Sequence, residues 1–418
     1  MSVLEDTIKR RGGRAARKAL RAAPIPLEEA AVKPGMVGGW FKPLKDEDMQ
    51  RIHEAALDIL ETVGISDCID SAVEYLTAAG CEYRDGRMRF PRAVVEDVVA
   101  KANRSFTLYG QDPKHDITPS GKKVHFGTAG AAVHIAEPET NSYRESLLED
   151  LYDAARIASN CDHIHFFQRP VVARDMEDPR DLDLNTAYAC LSGTTKHVGT
   201  SFVEPDHVKE ALKMVHMIAG SEEAWRARPF MSMSCCFVVP PMKFAEDACR
   251  CLEQAVLGGM PVLLLSAGQA GATSPAALAG AVVLQVAECL AALVYVNAIV
   301  PGAPAIFGPW PFVSDLRTGA MSGGSGEQAL LTAACAQMGH FYDLPTGSAA
   351  GMCDSKMPDI QAGYEKGLTA ALAGTAGLNL VYESVGMHAS LLGFCFESLL
   401  IDNDMIGAIN RNVRGIEV

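Results

Sequence analysis

Eight short apolar runs recur along this chain, and each is followed by a stretch of helical period. The runs are 124–127, 164–168, 197–202, 231–237, 262–266, 305–310, 344–349 and 378–383. Between and around them lie helical segments at 145–159, 180–192, 206–219, 243–257, 275–299, 326–339 and 359–374. A strand that alternates with a helix calls for parallel strands joined by right-handed crossovers, because each helix must return the chain to the same edge of the sheet. Eight such units in roughly 270 residues predict a closed (β/α)8 barrel of the α/β class. A doubly wound open sheet is the alternative, but no Gly-x-Gly-x-x-Gly follows any run. The first run also reads as one arm of a hairpin.

The 418 residues divide by pattern into three parts. Residues 1–35 are basic and Ala/Pro-rich, with Lys9, Arg10, Arg11, Arg14, Arg17, Lys18 and Arg21 on one arm, and weak order is expected there. Residues 36–120 read as an α-rich N-terminal layer. Its first helix carries an apolar stripe through Ile52, Ala56, Ile59, Leu60 and Val63, with Asp46 as the expected N-cap and Gly64 as the stop. Residues 121–418 carry the barrel. The net charge of −14 argues against a nucleic-acid partner.

Twelve cysteines form no Cys-x-x-Cys, and most sit in apolar runs, where a thiol behaves as a small hydrophobe. That usage, with no signal peptide in view, points to a reducing cytoplasm. The segment from Pro275 to Val300 is apolar almost all round, but Gln285, Glu288 and Asn297 interrupt it. It is read as a buried or interface helix and not a membrane span, and it suggests a homo-oligomer.

Barrel chemistry gathers at the C-terminal strand ends. Here these ends supply Thr128, Gln168, Arg169, Ser201, Ser234, Gln269, Trp310, Ser348 and Glu383, a mostly neutral set without an evident acid/base pair. His163 and His165 share one strand face but lie at the wrong end, so a structural role is expected. Lys356, between Asp354 and Asp359, suits either a Schiff-base lyase or a loop anchor, and the anchor is favoured because a reactive lysine is normally desolvated. The turn Ser322-Gly-Gly-Ser-Gly326 can hold a phosphate on its N–H groups or admit a large flat partner. After the eighth run, His388 can meet a substrate carboxylate, and Phe394 and Phe396 can face a methylammonium. Equally, the two rings can be core and His388 a loop fastener.

Three stretches carry a family resemblance. Gly38-Gly-Trp-Phe-Lys-Pro-Leu44 with Ile52-His-Glu-Ala-Ala-Leu-Asp-Ile-Leu-Glu-Thr-Val-Gly64 forms one. Ser322–Gln328 and Asp354-Ser-Lys-Met-Pro-Asp-Ile-Gln-Ala-Gly-Tyr-Glu365 form the second, and Asp402-Asn-Asp404 the third. Together they resemble the trimethylamine methyltransferase family from about residue 36 onward. The resemblance implies a (β/α)8 barrel that passes a methyl group from a methylamine to the Co(I) of a separate corrinoid protein. The cobalamin-type cofactor is then carried by that partner, with none bound tightly by this chain. No non-standard residue is present, which fits the branch without pyrrolysine, whose activities include demethylation of glycine betaine. The resemblance also implies a helical tail beyond Val418.

On this basis Phe396, Phe394 and Trp310 are expected around the ammonium head and Glu383 is expected to supply negative charge. His388, with Gln168 or Gln269, is expected on the substrate carboxylate. Gly323, Gly324 and Gly326 are expected to dock the corrinoid protein. A quaternary ammonium has neither N–H nor lone pair, so positioning and desolvation matter more than a base. Two rivals remain: a lysine-dependent barrel lyase using Lys356, and a non-catalytic betaine-binding barrel.

Overall fold

The computed structural model describes residues 30–417, so the basic arm from Lys9 to Arg21 lies outside the described residues. Two units are distinguished, Met1–Lys33 and Pro34–Val418. Within the second, the eight apolar runs form strands β1 (Lys123–Phe126), β2 (Phe167–Gln168), β3 (Val198–Thr200) and β4 (Met231–Cys235). They continue as β5 (Val262–Ser266), β6 (Ala305–Pro309), β7 (Gly347–Ala349) and β8 (Leu380–Tyr382). Strands β2 to β6 pair in parallel in sequence order, and β7, β8 and β1 form a second parallel run. Single parallel bridges, Gly127 to Phe166 and Phe307 to Thr346, join the two runs. The ring is therefore closed, and the protein is a (β/α)8 barrel.

An N-terminal layer precedes the barrel: α1 (Asp46–Thr62), α2 (Asp70–Ala78) and α3 (Arg92–Lys101). A main helix then follows each strand, with a further short helix, Glu222–Ala227, before β4: α4 (Leu148–Ser159), α5 (Pro179–Gly193), α6 (Pro205–Ala219) and α7 (Glu246–Leu257). The remaining four are α8 (Leu278–Ile299), α9 (Gly326–Tyr342), α10 (Ile360–Ala376) and α11 (Phe396–Arg414). The first barrel crossover also holds a hairpin, His134–Glu137 with Ser142–Glu145, that the sequence pattern did not suggest.

Two local expectations change. Asp46 is the first residue of α1 and not its cap; Lys45 takes that place, and its N–H donates to Asp48 Oδ2 at 3.3 Å. Gly64 does stop α1, in a left-handed conformation (φ +69°), and a Cβ there would meet Met88 O at 2.2 Å. No larger residue fits that turn.

The larger revision concerns α8. By length and composition it could cross a membrane, yet it lies between barrel and N-terminal layer, packed against α1, α2 and α3. Fifteen of its residues are buried, from Ala281 to Val296. A helix apolar on all sides needs cover on all sides, and this chain supplies it. The reason for expecting a homo-oligomer from α8 therefore falls away.

Candidate functional site

The C-terminal strand ends open on a cavity of about 370 Å3. Small residues of the β1 loop, Ala129, Gly130 and Ala131, line one side. Gln168 and Arg169 enter from β2, Ser201 from β3, Ser234 and Cys236 from β4, Trp310 from β6 and Glu383 from β8.

Glu383 follows β8 directly and is buried, with left-handed backbone (φ +60°). A non-glycine residue held there is strained by about 1–3 kcal/mol, and such strain collects at functional sites. Its Oε2 has no hydrogen-bond partner among the described residues. Burial alone pushes its acid pKa up to about 8, since a carboxylate taken out of water without a counter-charge resists ionisation.

Arg169 is the opposite charge in the same cavity. Nη2 donates to Ser201 Oγ at 3.0 Å, while Nε is buried without a partner. Burial lowers its pKa, offset in part by Cys190, Asp183 and Cys236. Trp310 Nε1 is a third buried atom without a partner, and its ring packs on Tyr382 with centroids 5.2 Å apart. Buried polar groups are nearly always bonded, so three exceptions lining one cavity mark where something else binds.

Gln168 is more settled. Its Nε2 donates to Ser234 Oγ at 2.9 Å, and its Oε1 occupies the space above Gly199, where a Cβ would lie only 1.6 Å away. Of the residues proposed from sequence, then, Glu383, Trp310 and Gln168 line one cavity.

The others do not. Both ring nitrogens of His388 are engaged, Nδ1 with Cys353 Sγ at 3.2 Å and Nε2 with Ser398 Oγ at 2.6 Å. Burial and the nearby Lys366 charge hold its pKa down to about 3, so the ring is neutral and unavailable to a substrate carboxylate. Phe394 is fully buried and packs edge-on against Phe396 with centroids 5.5 Å apart, away from the cavity lining. Phe394 is core, and Phe396 is half-buried against it. Gln269 is also elsewhere, its Oε1 accepting from Ser314 Oγ at 3.1 Å. His165 Nδ1 accepts from Phe126 N–H at 3.0 Å, a structural use of that histidine.

A second hollow, of about 560 Å3, lies beside the glycine turn and is lined in part by Ser322, Ser325, Asp354, Lys356 and Ser390. Asp354 organises this rim by accepting from Ser322 Oγ at 2.6 Å, Gly323 N–H at 2.6 Å and Ser390 Oγ. Gly324 admits the Glu365 side chain, whose carboxylate would lie 2.6 Å from a Cβ, and Gly326 opens α9 behind the Ser325 cap. Ala389, Ser390 and Leu391 are all left-handed, and Leu391 reaches the inner cavity while Ser390 faces the outer hollow. Lys356 is exposed, and its ammonium donates to the Asp354 carbonyl. Nothing desolvates it, which removes the physical basis for a Schiff-base role.

The model of the trimethylamine methyltransferase family matches residues 10–418. The chain belongs to the trimethylamine methyltransferase family. Its relatives include the trimethylamine methyltransferase of Desulfitobacterium hafniense, 32% identical over 375 residues, covering 89% of this chain and 75% of that protein. Trimethylamine methyltransferase MttB2 of Methanosarcina mazei is 31% identical over 382 residues, 89% of this chain and 76% of the relative. A glycine betaine methyltransferase, also from Desulfitobacterium hafniense, is 29% identical over 380 residues, 90% of this chain and 78% of the relative. Among solved structures, the monomethylamine methyltransferase of Methanosarcina barkeri superposes with a TM-score of 0.53 at 12% identity, over 91% of this chain and 83% of that one. That likeness bears on the fold.

This family methyltransferase carries one charged cavity residue, Arg169, to which the sequence assigns a strand end but no role. Arg169 was visible as a strand-end residue, but its charge is ordinary in sequence. Only the fold shows that its Nε is buried and that its side chain is left short of partners. Its position directly after Gln168, at the productive end of β2, was the available signal.

Proposed function

We propose that this methyltransferase demethylates a quaternary amine, glycine betaine or a close relative, passing the methyl group to the corrinoid of a separate protein. The observation that carries this is Glu383: a buried, strained carboxylate without a partner, in a cavity walled by Trp310. A cation with no N–H can neither donate to that carboxylate nor be deprotonated by it, so the attraction is purely electrostatic. An indole face adds about 0.5–2 kcal/mol. Apart from Arg169, the rest of the lining is uncharged and supplies no competing base.

The residues fit a corrinoid presented from outside. Ala129, Gly130, Ala131 and Ser201 keep the wall low, and Gly323, Gly324 and Gly326 flank the outer hollow, where the carrier protein docks. When presented, the corrinoid supplies the nucleophile for the methyl carbon. This chain's work is to hold the substrate, exclude water and keep Glu383 near the cationic nitrogen until it leaves as a neutral tertiary amine.

The test is turnover of glycine betaine with a reduced corrinoid carrier, reading dimethylglycine. Product from the wild type and a loss of about 100-fold or more in Glu383→Gln are expected. Undiminished turnover in Glu383→Gln would overturn the assignment.

A further inference from the structure

We infer that Arg169, oriented by Ser201, is an anion subsite of the inner cavity, and that the ligand is therefore a small zwitterion and not a simple methylamine. This rests on the quaternary-amine reading of Glu383 and extends it to the far end of the substrate.

Arg169 has five N–H donors, and among the described residues its side chain makes one hydrogen bond, to Ser201 Oγ at 3.0 Å. Its Nε is buried and unpartnered, and the residue lines the cavity. A guanidinium in this condition wants a planar, bidentate acceptor, and a carboxylate is the usual one. The protein's own carboxylate in the cavity does not serve. No ion pair or hydrogen bond joins Glu383 to Arg169 among the described residues, and Glu383 Oε2 and Arg169 Nε are both left without a partner.

Strand order explains the separation. β2 and β8 flank β1, so the two side chains start about 10 Å apart along the barrel wall at ordinary strand spacing. Between them the β1 loop offers only Ala129, Gly130 and Ala131, which leave the gap open. At Gly130 any Cβ would crowd the Met387 side chain at 2.7 Å. One negative and one positive group across a gap of this size complement a ligand carrying both charges a few bonds apart. Trimethylamine or tetramethylammonium would satisfy Glu383 and leave Arg169 bare.

The experiment is calorimetric titration of the full chain with glycine betaine and, separately, tetramethylammonium. Wild type is compared with Arg169→Met and Arg169→Lys. The expected result is that Arg169→Met weakens glycine betaine by 30-fold or more and leaves tetramethylammonium within twofold, which also reports an intact cavity (about 2 kcal/mol per 30-fold). Arg169→Lys recovers part of the loss. Glycine betaine binding unchanged in Arg169→Met would overturn the anion subsite while leaving Glu383 untouched. No binding of either ligand to the wild type would overturn the quaternary-amine reading, and the anion subsite with it. Should Arg169→Met fail to fold, Ser201→Ala makes the same comparison. A selective loss of glycine betaine supports the subsite, and an equal change for both ligands contradicts it.

Discussion

Two buried glutamates sit near the same end of the barrel and are treated in opposite ways. Glu288, on α8, accepts from Met242 N–H at 2.8 Å and from Ser266 Oγ, and Ser266 is also tied to Gln285 at 2.8 Å. Glu383, after β8, has an unpartnered Oε2 and a left-handed backbone. Both acids are raised by burial, Glu288 to about 7 and Glu383 to about 8, but only Glu288 has donors that pull back. One glutamate fastens a helix to a strand end. The other is held ready at a cost to stability. The difference teaches that burial alone does not mark a functional carboxylate; burial without protein partners does.

The largest expected effect tests that contrast from the Glu383 side. Glu383→Gln should weaken glycine betaine binding about 100-fold, roughly 3 kcal/mol, while making the folded protein more stable. The sign follows from linkage. A carboxylic acid with a raised folded pKa holds more protons folded than unfolded between about 4.5 and 8. Wild-type stability therefore falls as pH climbs through that window, and Glu383→Gln should flatten the fall. Melting curves from pH 5 to 9 check it; parallel curves for the two proteins would break the comparison.

From the other side, Glu288→Ala should cost about 2–4 kcal/mol of folding stability, because Met242 N–H and Ser266 Oγ lose their acceptor. Ligand affinity per folded molecule should move less than threefold. His388→Ala belongs to the same class, with a loss of about 2–3 kcal/mol from its bonds to Cys353 and Ser398 and none in affinity. Chemical denaturation paired with calorimetry separates the two readouts. A large affinity loss in His388→Ala would restore the residue to the site.

Trp310→Leu should reduce affinity about 5- to 10-fold by removing an aromatic wall from the cation, measured with tetramethylammonium. The smallest effect is expected for Phe396→Ala: under twofold in affinity, since that ring leans on Phe394 and not on the cavity.

Strand-helix alternation made the barrel legible, and all eight observed strands fall within or one residue beside the apolar runs. Periodicity could not show which surface would cover α8, because its cover comes from α1, α2 and α3, more than 170 residues earlier in the chain. In the site, Glu383, Gln168 and Trp310 were accessible from the rule that places chemistry at strand ends. His388 and the two phenylalanines were misplaced for a definite reason. The chain turns at Glu383 and Gly386, so Met387–His388 pairs with Gly393–Phe394 in a short hairpin that reaches the cavity lining through Leu391 of its turn and not through His388 or Phe394. Sequence marks only half of that turn: Gly386 is a glycine (φ +76°), but Glu383 takes a left-handed conformation that glycine would normally mark.

The central claim is that Glu383 waits, largely protonated, for a cation. Glycine betaine should be titrated calorimetrically at pH 7 in buffers of different ionisation enthalpy, with wild type and Glu383→Gln side by side. Binding to the wild type should release close to one proton and strengthen as pH rises toward 8, and the variant should release none. Binding without proton release, or the same release from both proteins, would contradict it.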